Sequence, residues 1–147
     1  MQDLTFDGGV IHIIDKVLTI PEDVVIAAKA AGLNSFVDAL TAGDIVSTIQ
    51  ELSDVTIFAP NNEAFDEIAE GLKDESAEVI ADVLKYHVVK GNGVGYSSAF
   101  MNGTVQTLGG DYIEIEVRDD GTLMVNGAKV VIPDVLIANG VVHVVDR

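Results

Sequence analysis

The chain contains no cysteine, which removes disulfides, thiol catalysis and thiolate metal sites together. That absence leaves the compartment open, because a domain of this length does not need cross-links. Basic residues are also scarce: 8 Lys and Arg stand against 24 Asp and Glu, for a net charge of −16. Such a surface repels phosphate backbones and anionic membranes, so nucleic acid is not an expected partner, and the charge reads as a solvating shell. No apolar run approaches the ~18 residues that a membrane-spanning helix needs. Catalytic signatures are missing too, with no Gly-x-Ser-x-Gly, His-Glu-x-x-His, Walker loop or Gly-x-Gly-x-x-Gly, so no enzyme activity and no cofactor are expected.

What is present begins with a self-match. Residues 9–16 read Gly-Val-Ile-His-Ile-Ile-Asp-Lys and residues 140–147 read Gly-Val-Val-His-Val-Val-Asp-Arg, an offset of 131. That spacing is domain-sized and far longer than a solenoid repeat, so it points to a tandem array of whole domains. On this reading residues 1–21 are the tail and last strand of a preceding unit plus a linker, and residues 22–147 form one complete domain. Both Val10–Ile14 and Val141–Val145 are apolar on both faces apart from one His, the pattern of a covered strand. Detached from its own sheet, Val10–Ile14 would fold onto this domain, self-associate with a second copy, or stay mobile.

Hydrophobic residues make up 48% of the chain, enough for a core of its own. Helix signals dominate the first half. Glu22 to Ala31 is Ala-rich and stops at Gly32; Ser35 is a candidate cap for Phe36–Leu40, and Asp44 for Ile45–Glu51. Val55–Ala59 reads as a short buried strand ended by Pro60. Asn61 or Asn62 then caps a helix carrying Phe65, Ile68 and Leu72. The next helix, about Glu75 to Tyr86, aligns Val79, Ile80, Val83 and Leu84. After the turn-rich Gly91–Gly95 the period changes to two: Ile113, Ile115 and Val117 alternate with charged residues, and Asp120-Gly121 and Asn126-Gly127 supply hairpin turns. Helices first and antiparallel strands after indicate an α+β fold.

Thr56-Ile57-Phe58-Ala59-Pro60-Asn61-Asn62-Glu63-Ala64-Phe65 resembles the first signature of fasciclin domains, with Asn61 where that family usually has Thr. Tyr86-His87 falls where the family carries a Tyr-His pair, and Asn139 to Asp146 looks like its second signature. The resemblance covers about residues 22–147. Gly8 to Leu18 looks like the second signature of another such domain, and fasciclin domains commonly occur in tandem. The resemblance implies a wedge of two small β-sheets capped by short N-terminal helices, with Phe58, Pro60, Asn62, Phe65, His143 and Asp146 as motif residues. It further implies a secreted, extracellular or cell-surface adhesion module whose ligand is a cell-surface or matrix protein or a wall polysaccharide. In the family the Tyr-His pair is implicated in receptor contacts, which carries that role to Tyr86 and His87 as an expectation. Residues 30–40 look like fungal fasciclin-like proteins, which are often lipid-anchored at the membrane.

Each candidate residue has competing readings. A His in a covered strand needs a partner or must stay neutral, so His143 is either a hydrogen-bonded core residue or a ligand contact. Asp146 reads as an acceptor for backbone donors or an Arg. Tyr86 and His87 suit partner contact, as the helix dipole favours a protonated imidazole there, yet Tyr86 also continues the Val79/Val83 stripe. Asn102-Gly103-Thr104 is a glycosylation sequon. His12, His87 and His143 are not expected to converge on a metal, since two are equivalent positions in successive units. Asp119-Asp120-Gly121 reads as a hairpin turn; a calcium loop would need Glu where Val130 stands. A second functional reading is a module binding a small apolar ligand in a groove between helices and sheet.

Overall fold

A computed structural model describes residues 3–15, 20–91 and 94–147. Lys16 to Leu18 of the first repeat copy, and Asn92-Gly93 of the glycine-rich turn, lie outside the described residues.

Helices fill the first half: α1 Val24–Ala30, α2 Asn34–Ala42, α3 Val46–Glu51, α4 Asn62–Leu72 and α5 Ala77–Tyr86. Asp23 caps α1, its carboxylate accepting the Val25 and Ile26 N–H groups at 2.9 and 3.0 Å. Asn61 caps α4 through Ala64 N–H at 2.8 Å, and Ser76 caps α5. Ser35 and Asp44, expected as caps, are not. Leu33 holds the N-cap position of α2 and Ile45 that of α3. The physical reason is how the preceding helices close. Gly32, at φ +80, turns the chain so that Leu33 N–H returns to Ala28 C=O at 2.9 Å, and α2 starts earlier. Asp44 adopts φ 52 to finish α2, which takes it out of the extended geometry of an N-cap. Along α5 the expected stripe is displaced: Ala81 and Leu84 are buried, whereas Val79 is exposed.

The strands of the main sheet are β3 Val55–Pro60, β4 Val88–Lys90, β5 Gly103–Gln106, β6 Tyr112–Val117, β7 Leu123–Val125, β8 Ala128–Ile137 and β9 Gly140–Val145. They are ordered β4-β3-β9-β8-β7-β6-β5. The expectation of a purely antiparallel second half needs correction, because β9 lies parallel to β3. A strand that returns after a long crossover can arrive in that sense, whereas a tight hairpin cannot. The ten-residue β8 shifts register twice, between Val130 and Ile132 and between Ile132 and Val135, and so serves both halves of the bent sheet. A bridge between Val89 and Thr107 joins the two ends, and the sheet curls on itself as a wedge.

This curl creates two cores. Helices cover one face of β3 and β9, where Phe36, Leu40, Ile49, Ile57, Val142 and Val144 pack. Inside the curl lie Phe58, Ile113, Ile115, Leu123, Val125 and Val145. Pleating alone sends Ile57 to one core and Phe58 to the other. Two turn positions are strict. Asn126 and Gly127, at φ 47 and 81, form the two-residue link between β7 and β8. Gly140 is required for space: a Cβ there would stand 1.8 Å from the Val55 carbonyl oxygen.

Residues 3–15 contain a separate hairpin of β1 Asp3–Phe6 and β2 Gly9–His12. The strand expected at Val10–Ile14 is therefore shifted to Gly9–His12, and it pairs with β1. Every residue from 3 to 15 is exposed, so the apolar pattern of a covered strand is not matched by burial here. Strand burial is conferred by neighbours, and the one strand paired to β2 among the described residues is β1. The pairing Leu4↔Ile11, Thr5↔Val10 and Phe6↔Gly9 reproduces, shifted by 131, the β8–β9 pairing Val135↔Val142, Leu136↔Val141 and Ile137↔Gly140.

Candidate functional site

His143 lies on β9 and is fully buried. Its Nδ1 accepts Asp134 N–H at 3.2 Å, and its Nε2–H donates to the Gly95 carbonyl at 2.7 Å. These partners define a neutral ring with the proton on Nε2. Desolvation, the larger effect, holds its pKa below the ordinary value, opposed by the Gly95 bond and the Asp134 carboxylate. The ring stacks on Phe58 at 5.5 Å and meets Phe100 edge-on at 5.6 Å. The segment from Val94 to Phe100 is fastened further: Gly95 N–H donates to the Thr56 hydroxyl at 2.8 Å, Ser97 N–H to Asp134 at 2.8 Å, and the Ser97 hydroxyl to the same carboxylate. His143 thus pins a loop to a central strand and presents no surface to solvent.

Tyr86 and His87 close α5, ring to ring at 5.8 Å and nearly perpendicular. His87 Nδ1–H donates to Val83 C=O at 2.8 Å, one helical turn back. Burial, the dominant cause, lowers the His87 pKa, and the Val83 bond opposes it only in part. Burial thus works against the dipole-favoured imidazolium expected here, since desolvation penalises the charged ring. Tyr86 packs against the inner core, and its hydroxyl accepts from the Asn126 side-chain amide. Both residues line a cavity of about 200 Å³ in the wedge, with Phe58, Val125 and Val145 as apolar lining beside Asn126 and Arg147.

The remaining motif residues join elements. Asn62 accepts Ser35 N–H at 3.2 Å and donates to Gly32 C=O at 2.8 Å, tying α4 to the turn before α2. Phe65 is buried in the helical core. Pro60 ends β3, after which Asn61 N–H donates to Val145 C=O at 2.9 Å. Asp146 accepts Lys129 N–H at 2.9 Å and lies 3.5 Å from Arg147. Asn102 is exposed, its side-chain oxygen accepting Val117 N–H at 2.6 Å. Asp120 accepts Thr122 N–H at 2.9 Å in the β6–β7 turn, and that bond holds its carboxyl below the usual range. Sequence reasoning missed Thr56, Asp134, Phe100 and Asn126 as site-builders. Of these, Asn126 was read for its turn and not for its side chain.

Residues 31–147 match the fasciclin domain. The chain belongs to the fasciclin family. A fasciclin-like arabinogalactan protein of Arthroderma benhamiae is 38% identical over 95% of this chain and 32% of its own length. The cell surface glycolipoprotein MPB83 of Mycobacterium bovis is 35% identical over 81% of this chain and 57% of its own. The solved FAS1 domain pair of the insect cell adhesion molecule fasciclin I superposes with a TM-score of 0.65 at 27% identity, covering 82% of this chain and 45% of that one. This fasciclin chain therefore spans less than two thirds of each of these relatives.

Proposed function

We propose that this fasciclin domain is a non-enzymatic, extracellular adhesion or matrix-interaction module that contacts its partner through the mouth lined by Tyr86 and His87. The observation that carries the reading is the cavity there. An apolar floor continuous with the core, beside the Tyr86 hydroxyl, the Asn126 amide and the Arg147 guanidinium, suits one anchoring side chain of a protein or one sugar ring of a wall polysaccharide. Relatives named as a cell adhesion molecule and a cell surface glycolipoprotein support the setting. Among the described residues no hydroxyl is hydrogen-bonded to a His ring, which disfavours an activated nucleophile. A glycan on Asn102 and a lipid-anchored parent fit the same setting.

A binding screen over matrix proteins and wall glycans tests this reading, using Tyr86→Phe and His87→Ala. Tyr86→Phe keeps the packed ring and removes only the hydroxyl. Binding untouched by both changes would remove this mouth from the account.

A second reading rests on a different groove. Between α1 and β8 runs an open trough of about 640 Å³ whose walls include Ala27, Ala30, Ile132, Val135 and Leu136. It would take a small apolar ligand, and ligand binding to the folded state alone raises the melting temperature. A panel of apolar molecules that leaves the melting temperature unmoved at saturating concentration counts against it.

A further inference from the structure

Helices α4 and α5 each pack on α2 more than on each other, and above α2 an open groove of about 310 Å³ remains. Its lining is mainly apolar, with Ala39 and Ala42 from α2, Phe65, Ala69 and Leu72 from α4, and Ile80 from α5. The small side chains on α2 keep it open. Ala39 and Phe65 are buried in the helical core, and Ala69, Leu72 and Ile80 are half-buried against it. The groove is therefore an uncovered continuation of that core, built from other residues than the Tyr86 and His87 cavity.

Charge around the groove has one sign. Asp38 and Asp66 belong to its lining, and residues 62–86, which supply α4 and α5, hold eight Asp and Glu against two Lys. Both lysines are engaged nearby, Lys73 with Glu70 and Lys85 with Asp82. Asp66 accepts the Ser35 hydroxyl at 3.0 Å, and among the described residues Asp38 has no cationic partner.

We infer that this groove docks a cationic amphipathic helix of a partner protein. Its walls select that occupant. They are helices, whose main-chain groups bond internally, so an extended peptide would find no ladder and would bury its amides unpaired. A helix arrives with its backbone satisfied and lays an apolar stripe at i, i+3, i+4 and i+7 between α4 and α5. Lysines or arginines flanking the stripe meet the carboxylates around the groove, and acids there are repelled. The same carboxylates turn away nucleic acid and anionic membranes. A glycan would have to desolvate its hydroxyls on an apolar floor.

The test titrates the full chain with a synthetic peptide of about 18 residues, long enough to form a helix alone, with leucine in that periodic stripe and lysine elsewhere. A second peptide scrambles the same composition, and a third replaces lysine by glutamate. Backbone amide NMR shifts locate the binding and give the dissociation constant. The periodic lysine peptide is expected to shift Ala39, Ala42, Ala69, Leu72 and Ile80. The scrambled peptide should bind at least about tenfold more weakly, and the glutamate peptide should not bind. Ala42 is exposed and leucine is a good helix former, so Ala42→Leu narrows the groove without disturbing α2 and should weaken the periodic peptide about tenfold. Asp38→Lys should weaken it about three- to fivefold at low ionic strength, a difference that added salt erases. The inference is overturned if no peptide binds, if periodic and scrambled peptides bind equally, or if the shifted amides lie away from α2, α4 and α5. It is also overturned if both variants keep the wild-type melting temperature and the wild-type affinity.

Discussion

Two hairpins in this molecule share a register and a sequence pattern and differ in nearly everything else. Val141, Val142, Val144 and Val145 are 0–3% exposed, and Val10, Ile11, Ile13 and Ile14 are 45–53% exposed. The local code, a two-residue loop between apolar strands with an Asp opposite a His, is sufficient to build the turn and the pairing. It does not bury anything. Burial comes from β3, from the helices over one face and from Phe58 and Phe100 over the other, none of which a hairpin carries with it. The same His is a buried pin in one copy and a surface residue in the other for that reason alone.

Substitutions at equivalent positions sharpen the contrast. The largest difference is expected at the two His. His143→Ala deletes a ring packed between Phe58 and Phe100 and leaves Asp134 N–H and Gly95 C=O without partners, a loss of about 3–5 kcal/mol. His12→Ala should change unfolding free energy by less than about 0.5 kcal/mol. Chemical denaturation of both variants checks the pair, and similar losses would break the comparison. Next in size, Val142→Ala is expected to cost about 2 kcal/mol and Ile11→Ala to stay within about 0.5 kcal/mol.

A smaller effect follows from protonation. His143 and His87 both have folded-state pKa values below the ordinary 6.5, so the unfolded chain binds protons first as pH falls. Their contribution to stability is complete above about pH 6.5 and declines as pH drops below it toward the folded values. Titrating unfolding free energy from pH 8 to 5 in wild type and His87→Gln isolates one share, since the acidic surface is common to both. An identical slope in the two proteins would remove His87 from the effect. Tyr86→Phe removes the bond from Asn126 and should lower stability by about 0.5–1 kcal/mol, measured by the same denaturation.

How much was legible in the sequence follows the same division between local and conferred properties. The Asn61-Asn62 pair and Asn126-Gly127 announced a helix start and a turn because capping and left-handed geometry depend on a few adjacent residues; the cap is Asn61. Ser35 and Asp44 misled, since the way a preceding helix closes decides where the next begins. The parallel pairing of β9 with β3 was illegible, as nothing in Val141–Val145 states which strand lies beside it. At the candidate site, Tyr86 and His87 were found through the family pattern. Asn126 and Arg147 join them only because β7, β8 and β9 bring distant segments to one mouth. The direction of the His87 shift was likewise set by packing that helix position cannot reveal.

One contact carries a mechanical consequence. Ala138 N–H donates to the Glu22 carbonyl at 2.8 Å, which places the start of the helical region beside the beginning of β9, while Arg147 follows its end. Tension applied to the domain between residues 22 and 147 is therefore directed along β9, a strand held by β3 on one side and β8 on the other. The hydrogen bonds on both edges are loaded together, in shear, and must fail as a group. The domain meets that force with a fully buried strand that is paired on both edges.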